Sequence, residues 1–131
     1  MMISNLIIVF LFLKGIAPNE EANREMLRNY PLYMIFAVTI LAPICEELMF
    51  RLSFKNVFKN RLVYILFTGI SFGAMHLLAN TSLIELLYII PYSALGIAFS
   101  AICYDTDNIY SSIIAHIMHN TLTVLLLLSA L

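Results

Sequence analysis

With 131 residues, of which 62% are hydrophobic and 11% charged, the chain lacks the polar residues that a water-exposed surface requires, since soluble domains are about a quarter charged. A net charge of −1 supplies neither a basic stripe for nucleic acid nor an acidic tail. Apolar runs near twenty residues without period-two alternation point to an all-α polytopic membrane bundle, because only helices or closed barrels satisfy backbone groups in lipid.

The expected organisation is a single membrane-embedded domain of about four spanning helices plus a short N-terminal partial span. Residues 1–16 lack the positive n-region and small-residue cleavage site of a secretory signal, so this run reads as a retained segment. A helix from Ile3 to Ile16 reaches only ~21 Å against ~30 Å of hydrocarbon, hence a partial or tilted span. Residues 17–30 form a polar interfacial linker carrying Glu20, Glu21, Arg24, Glu25 and Arg28, with Asn19 able to cap a short helix.

Residues 31–131 hold the core. An apolar run opens at Pro31, a residue suited to a helix start, and reaches Phe50, broken by Pro43 and by Glu46 and Glu47. Arg51, Lys55, Lys59 and Arg61 follow, and this helix is expected to continue through Lys59. The remaining spans are Arg61 to Ala79, Ser82 to Tyr104 and Ile109 to Leu131, separated by turn residues at Asn80-Thr81 and at Asp105 to Asn108. Glu85 falls in the first turn of the Ser82 to Tyr104 run, where a carboxylate suits the helix dipole. Cys45 and Cys103 read as small buried hydrophobes. Four Lys or Arg between Arg51 and Arg61, against three between Lys14 and Arg28, bias the former group toward the cytosol.

Ionisable residues within these runs require a reason, because a charge at mid-membrane costs ~2.5 to 3.5 kcal/mol on insertion scales. Glu47 and Arg51 stand four apart on one helical face and can pair. Glu46 points about 100° away, toward another neighbour. His76, His116 and His119 also lie in apolar runs, with Asn120 one turn beyond His116. With the turns near Asn60 and after Tyr104 on one membrane face, the rise per residue brings Glu46 and His76 level within about one turn, and His116 and Asn120 close to them. Gly69, Gly73 and His76 share a face of small residues that lets a neighbouring helix approach beside the histidine. Pro43 frees a backbone carbonyl near Glu46, and Pro91 does likewise in its own helix, each as a structural kink. Composition and spacing leave three readings open: an intramembrane enzyme, a non-catalytic membrane protein, or a small transporter or proton relay.

The segments Glu46-Glu47-Leu48-Met49-Phe50-Arg51, Phe72-Gly73-Ala74-Met75-His76 and His116-Ile117-Met118-His119-Asn120 resemble, in that order, the CPBP (CAAX-protease and bacteriocin-processing, or Abi) family of intramembrane proteases. Pro43 and the approach from Asp107 to Ile114 are also similar. The sequence departs from the family pattern at Leu52, where many members carry Gly, and at His119, where many carry Asn. The resemblance implies an intramembrane endopeptidase in which Glu46 activates a water, His76 assists, His116 and Asn120 polarise the scissile carbonyl, and Glu47 and Arg51 brace the site. The implied substrate is a peptide or membrane protein, such as a prenylated C-terminus or a peptide leader. The implied setting is the cell membrane, with the site opening to the cytosol. It allows a zinc version with Glu46, His76 and His116 as ligands, although the metal-free water mechanism ranks first because no His-Glu-x-x-His helix is present. It also allows a non-catalytic role in bacteriocin immunity or partner binding.

Overall fold

In a computed structural model that describes residues 18–78 and 85–129, those residues are mostly helical, with no strand among them. Helix α1 (Pro18–Asn29) is polar, whereas α2 (Pro31–Leu52), α3 (Arg61–Met75), α4 (Ile89–Thr106) and α5 (Ile109–Ser129) are apolar. A 3₁₀ turn, Glu85–Tyr88, leads into α4. Three spans are long and apolar enough to cross a bilayer, of 22, 21 and 21 residues, and α3 is a shorter apolar helix of 15 residues. At 1.5 Å per residue α3 reaches ~22 Å, less than the hydrocarbon thickness. Leu32, Phe36, Ile70, Ile114, Met118 and Leu125 point outward, as a lipid-facing surface requires. The chain is an integral membrane protein.

Local chemistry explains the helix ends. Pro18 and Pro31 open α1 and α2, where a missing N–H costs nothing. Asn19 therefore lies inside α1 and not at its cap. Asn60 caps α3 by accepting from the backbone N–H groups of Leu62 and Val63 at 2.9 and 3.1 Å. At the end of α4, Asp107 adopts a left-handed conformation (φ 50°), and Asn108 then accepts from Tyr110 N at 2.9 Å at the start of α5. Pro91 sits in the first turn of α4, where its backbone nitrogen has no intrahelical partner to lose, so no kink is required.

Helix α2 ends at Leu52, short of the expected Lys59. Its last turn widens to π geometry, with Ser53 N donating to the Leu48 carbonyl at 3.2 Å, and isolated turns follow through Val57. The Ser53 hydroxyl bonds the same carbonyl at 3.1 Å, a local bond that competes with continuation of the helix. The loop is tied to the α4–α5 turn instead. Arg61 grips the Asp105 carboxylate through two 2.7 Å bonds, Lys55 reaches Asp107 at 2.7 Å, and the Tyr104 hydroxyl donates to the Lys59 carbonyl at 2.9 Å. These two turns lie on one membrane face, as alternating spans require. Residues 1–17 and the Asn80-Thr81 separator lie outside the described residues, as does the Glu85 side chain. Cys103 is buried, but Cys45 is exposed on the outer face of α2, a small hydrophobe turned outward, not inward.

The tightest contact joins α3 to α4. A Cβ on Gly69 would come within 2.7 Å of Ile97 N, one on Gly73 within 2.7 Å of Ser93 N, and one on Gly96 within 2.6 Å of the Gly69 carbonyl. Backbone therefore meets backbone, and the Thr68 and Ser100 hydroxyls add a buried 2.7 Å bond between the helices. Gly96→Leu should lower the thermal stability of detergent-solubilised protein by at least the ~1 to 3 kcal/mol typical of overpacking. Ala98→Leu, on the exposed face of the same helix, should leave it within error.

Candidate active site

Two π-helical stretches in α2, Ala37–Leu41 and Leu48–Leu52, flank the segment that carries Glu46 and Glu47. Each wide turn shifts the helical phase, a distortion that recurs at functional sites. The two adjacent carboxylates consequently meet different surroundings. Glu47 is fully buried, whereas the Glu46 side chain keeps 18% of its surface.

Glu47 Oε2 lies 3.3 Å from Arg51 Nε, and both side chains are completely enclosed. Arg51 Nη2 donates to the Gly96 carbonyl of α4 at 2.8 Å. Its guanidinium carbon sits 4.8 Å from the centroid of the Phe72 ring, a cation–π contact that favours the charge where no water reaches it. Glu47 Oε1 receives His116 Nδ1 at 3.0 Å. One carboxylate thus binds the arginine one turn along its own helix and the histidine of α5.

His116 is buried and held on both sides: Phe99 stacks on it with centroids 4.5 Å apart, and Phe72 meets it edge-on at 5.7 Å. With Nδ1 given to Glu47, its Nε2 faces Glu46 Oε2 at 3.7 Å. Glu46 is therefore the partly accessible carboxylate at the open end of a chain running Arg51, Glu47, His116, Glu46. The His76 ring packs 4.6 Å from the same Phe72 ring that meets His116.

His76 is the residue at which α3 stops. Its Nδ1 donates to the Phe72 carbonyl at 2.9 Å, one of the carbonyls that a helix end leaves without a partner. A nitrogen facing a carbonyl must carry the proton, so the neutral ring keeps a bare lone pair on Nε2. The ring stacks on Tyr92 of α4 at 4.7 Å and does not face lipid. Asn120, on α5, donates its amide to the Val38 carbonyl of α2 at 2.9 Å. His119 is half-buried, 6.3 Å edge-on from Phe99, beside the cluster and outside its hydrogen bonds.

Glu46, Glu47, Arg51, His76 and His116 are thereby gathered from α2, α3 and α5, with Asn120 one turn along α5. Among the described residues no three His, Cys, Asp or Glu side chains converge as a metal ligand set. Glu46, His76 and His116 are not drawn together as such a set. Sequence reasoning missed Phe72 and Phe99, which clamp His116, and the Gly96 and Val38 carbonyls. Phe72 falls inside a recognised motif; nothing in the sequence marked Phe99 beyond its place one turn from Gly96.

Residues 28–122 match the family described as type II CAAX prenyl endopeptidase, Rce1-like. The chain belongs to this family, and with it to the wider CPBP group of membrane proteases. It is 29% identical over 111 residues to "Putative membrane peptidase YdiL" of Bacillus subtilis, covering 82% of this chain and 42% of that protein. It is 30% identical over 109 residues to "UPF0177 protein YaiH" of Lactococcus lactis, covering 82% of this chain and 43% of that one. The chain thus spans less than half the length of these relatives. No solved structure matches it.

The unequal burial of the two glutamates has a measurable consequence. Glu47→Gln leaves the enclosed guanidinium without its counter-charge, and breaking a buried pair costs ~3 to 5 kcal/mol, so membrane abundance and melting temperature should fall. Arg51→Ala should behave alike. Glu46→Gln replaces a partly exposed carboxylate with an amide of similar shape and should accumulate as wild type does. Quantitative blotting and thermal denaturation in detergent would reveal a reversed order, which would exchange the two roles.

Proposed function

We propose that this chain acts as an intramembrane endopeptidase in which Glu46 is the general base. The observation that carries this reading is the division of labour between the adjacent glutamates: Glu47 is committed to Arg51 and His116, while Glu46 keeps an accessible edge beside His116, which shares the Phe72 ring with His76. Family membership supports the reaction class. In the proposed reaction Glu46 takes a proton from water as its oxygen attacks the scissile carbonyl carbon. His116, carrying both ring protons, donates one to Glu47 and presents the other to the developing oxyanion, and the second amide N–H of Asn120 adds a further donor. The tetrahedral intermediate collapses with cleavage of the C–N bond, and the proton passes to the leaving amine by way of His76 Nε2.

The substrate proposed is a membrane-delivered peptide or membrane protein, with a prenylated C-terminus ahead of a peptide leader because the matching family is described as a type II CAAX prenyl endopeptidase. The basic loop containing Lys55, Lys59 and Arg61 would lie in the cytosol of a cell-membrane protein. The proposed steps use no zinc.

In proteoliposomes Glu46→Gln should lower cleavage of a trapped substrate by ~10² to 10⁴ fold while still holding it, and mass spectrometry of the captured material should identify the bond that wild type cuts. A variant that cleaves at the wild-type rate would remove Glu46 as base. A biological effect that persists in Glu46→Gln would favour the non-catalytic role in immunity or partner binding. Protein purified without added zinc should cleave, and chelators should leave the rate unchanged. Reversible loss of activity on chelation would restore Glu46, His76 and His116 as zinc ligands.

A further inference from the structure

We propose that Pro43 is a positioning residue for Asn120: by having no N–H, it leaves the Val38 carbonyl as a dedicated acceptor that anchors the Asn120 amide one turn along α5 from His116.

The first π stretch of α2 sets up this arrangement. Ala42 N donates to the Ala37 carbonyl, five residues back. The next bond in that register would run from residue 43 to the Val38 carbonyl, and residue 43 is proline, which has no proton to give. Within a membrane an unbonded carbonyl is costly, since no water stands in as donor. The side-chain amide of Asn120, 82 positions along the chain on α5, donates to Val38 O at 2.9 Å.

The bond does two things for the site. It joins α5 to α2 at Val38, inside the wide turn and three residues before its end at Leu41, and does so one turn past His116 on α5. It also fixes the plane of the Asn120 amide by using one of its two N–H groups, which leaves the other in a defined direction. An alanine at position 43 would restore a backbone N–H that competes for the Val38 carbonyl, and the amide of Asn120 would lose its exclusive partner. Asn120 would then be free to rotate although its own identity is unchanged. Preorganised donors outperform mobile ones because no reorganisation is needed as charge develops.

This inference rests on the proposed protease reading for its catalytic meaning, but not for its structural content, so the test has two arms. In the first, the ¹⁵N side-chain amide signals of Asn120 are followed in detergent micelles, assigned by their absence in Asn120→Ala. Wild type should show two well-separated, exchange-protected amide protons. In Pro43→Ala, or in Pro43→Gly if the first variant expresses poorly, the separation should shrink and exchange should accelerate at least tenfold. Unchanged Asn120 signals would overturn the proposal whether or not the protein cleaves anything. In the second arm, on a cleaved substrate, Pro43→Ala should reduce kcat at least tenfold with KM within twofold, and should add nothing further in an Asn120→Ala background. A proline that matters only for helix shape would lower the melting temperature and multiply with Asn120→Ala, and that result would also overturn the proposal. If wild type cleaves no substrate, the protease reading fails, and the amide signals alone decide whether the anchor exists.

Discussion

The enclosed ion pair of Glu47 and Arg51 is the constraint around which the bundle is arranged. Two opposite charges with no exposed surface carry a desolvation cost of several kcal/mol each, which their mutual attraction offsets only with good geometry and additional partners. Those partners come from every neighbouring apolar helix: the Gly96 carbonyl from α4, His116 from α5 and the Phe72 ring from α3. Helices in lipid have little hydrophobic reason to prefer one rotation over another. A charge that must be satisfied by three of them supplies that preference.

Close backbone approach is what lets the partners reach. Gly69, Gly73 and Gly96 bring α3 and α4 together so tightly that a methyl group at any of them would collide with the opposite backbone. The carbonyl that receives Arg51 belongs to Gly96 itself, so the packing interface and the site share a residue. The Phe99 ring, one turn further along α4, stacks on His116, and Tyr92, one turn earlier, stacks on His76. Helix α4 thus positions both histidines through its aromatic rings and offers Arg51 a backbone carbonyl. On one membrane face the salt bridges from Lys55 and Arg61 to Asp107 and Asp105 hold the connecting turns in register. Being exposed, they contribute little energy each, and their value lies in fixing which turns are neighbours.

The paired glutamates illustrate how position outweighs residue type. Adjacent on one helix and chemically identical, they differ because about 100° of helical rotation turns one into the enclosed network and leaves the other at its edge. The wide turns on either side of the pair adjust that rotation locally, and the proline between them removes the backbone donor that would otherwise close the first turn. Backbone irregularity and side-chain chemistry in α2 therefore have to be considered together.

Much of this was legible in the sequence. The helical membrane class followed from composition, since 11% charged residues cannot cover a soluble surface, and the pairing of Glu47 with Arg51 followed from a four-residue spacing on a helix. The approach of a helix beside His76 followed from glycines one turn apart, because small side chains are what such an approach needs. The end of α2 at Leu52, the outward direction of Cys45 and the harmless place of Pro91 in a first turn did not follow, because helix termini depend on local hydrogen bonds that compete within a fraction of a kcal/mol. Nor could the partners of His116 and Asn120 be read from the chain. A periodic pattern specifies which face of a helix is buried, but the carbonyl or ring opposite that face belongs to another helix, and only the packed tertiary structure decides which atom stands there.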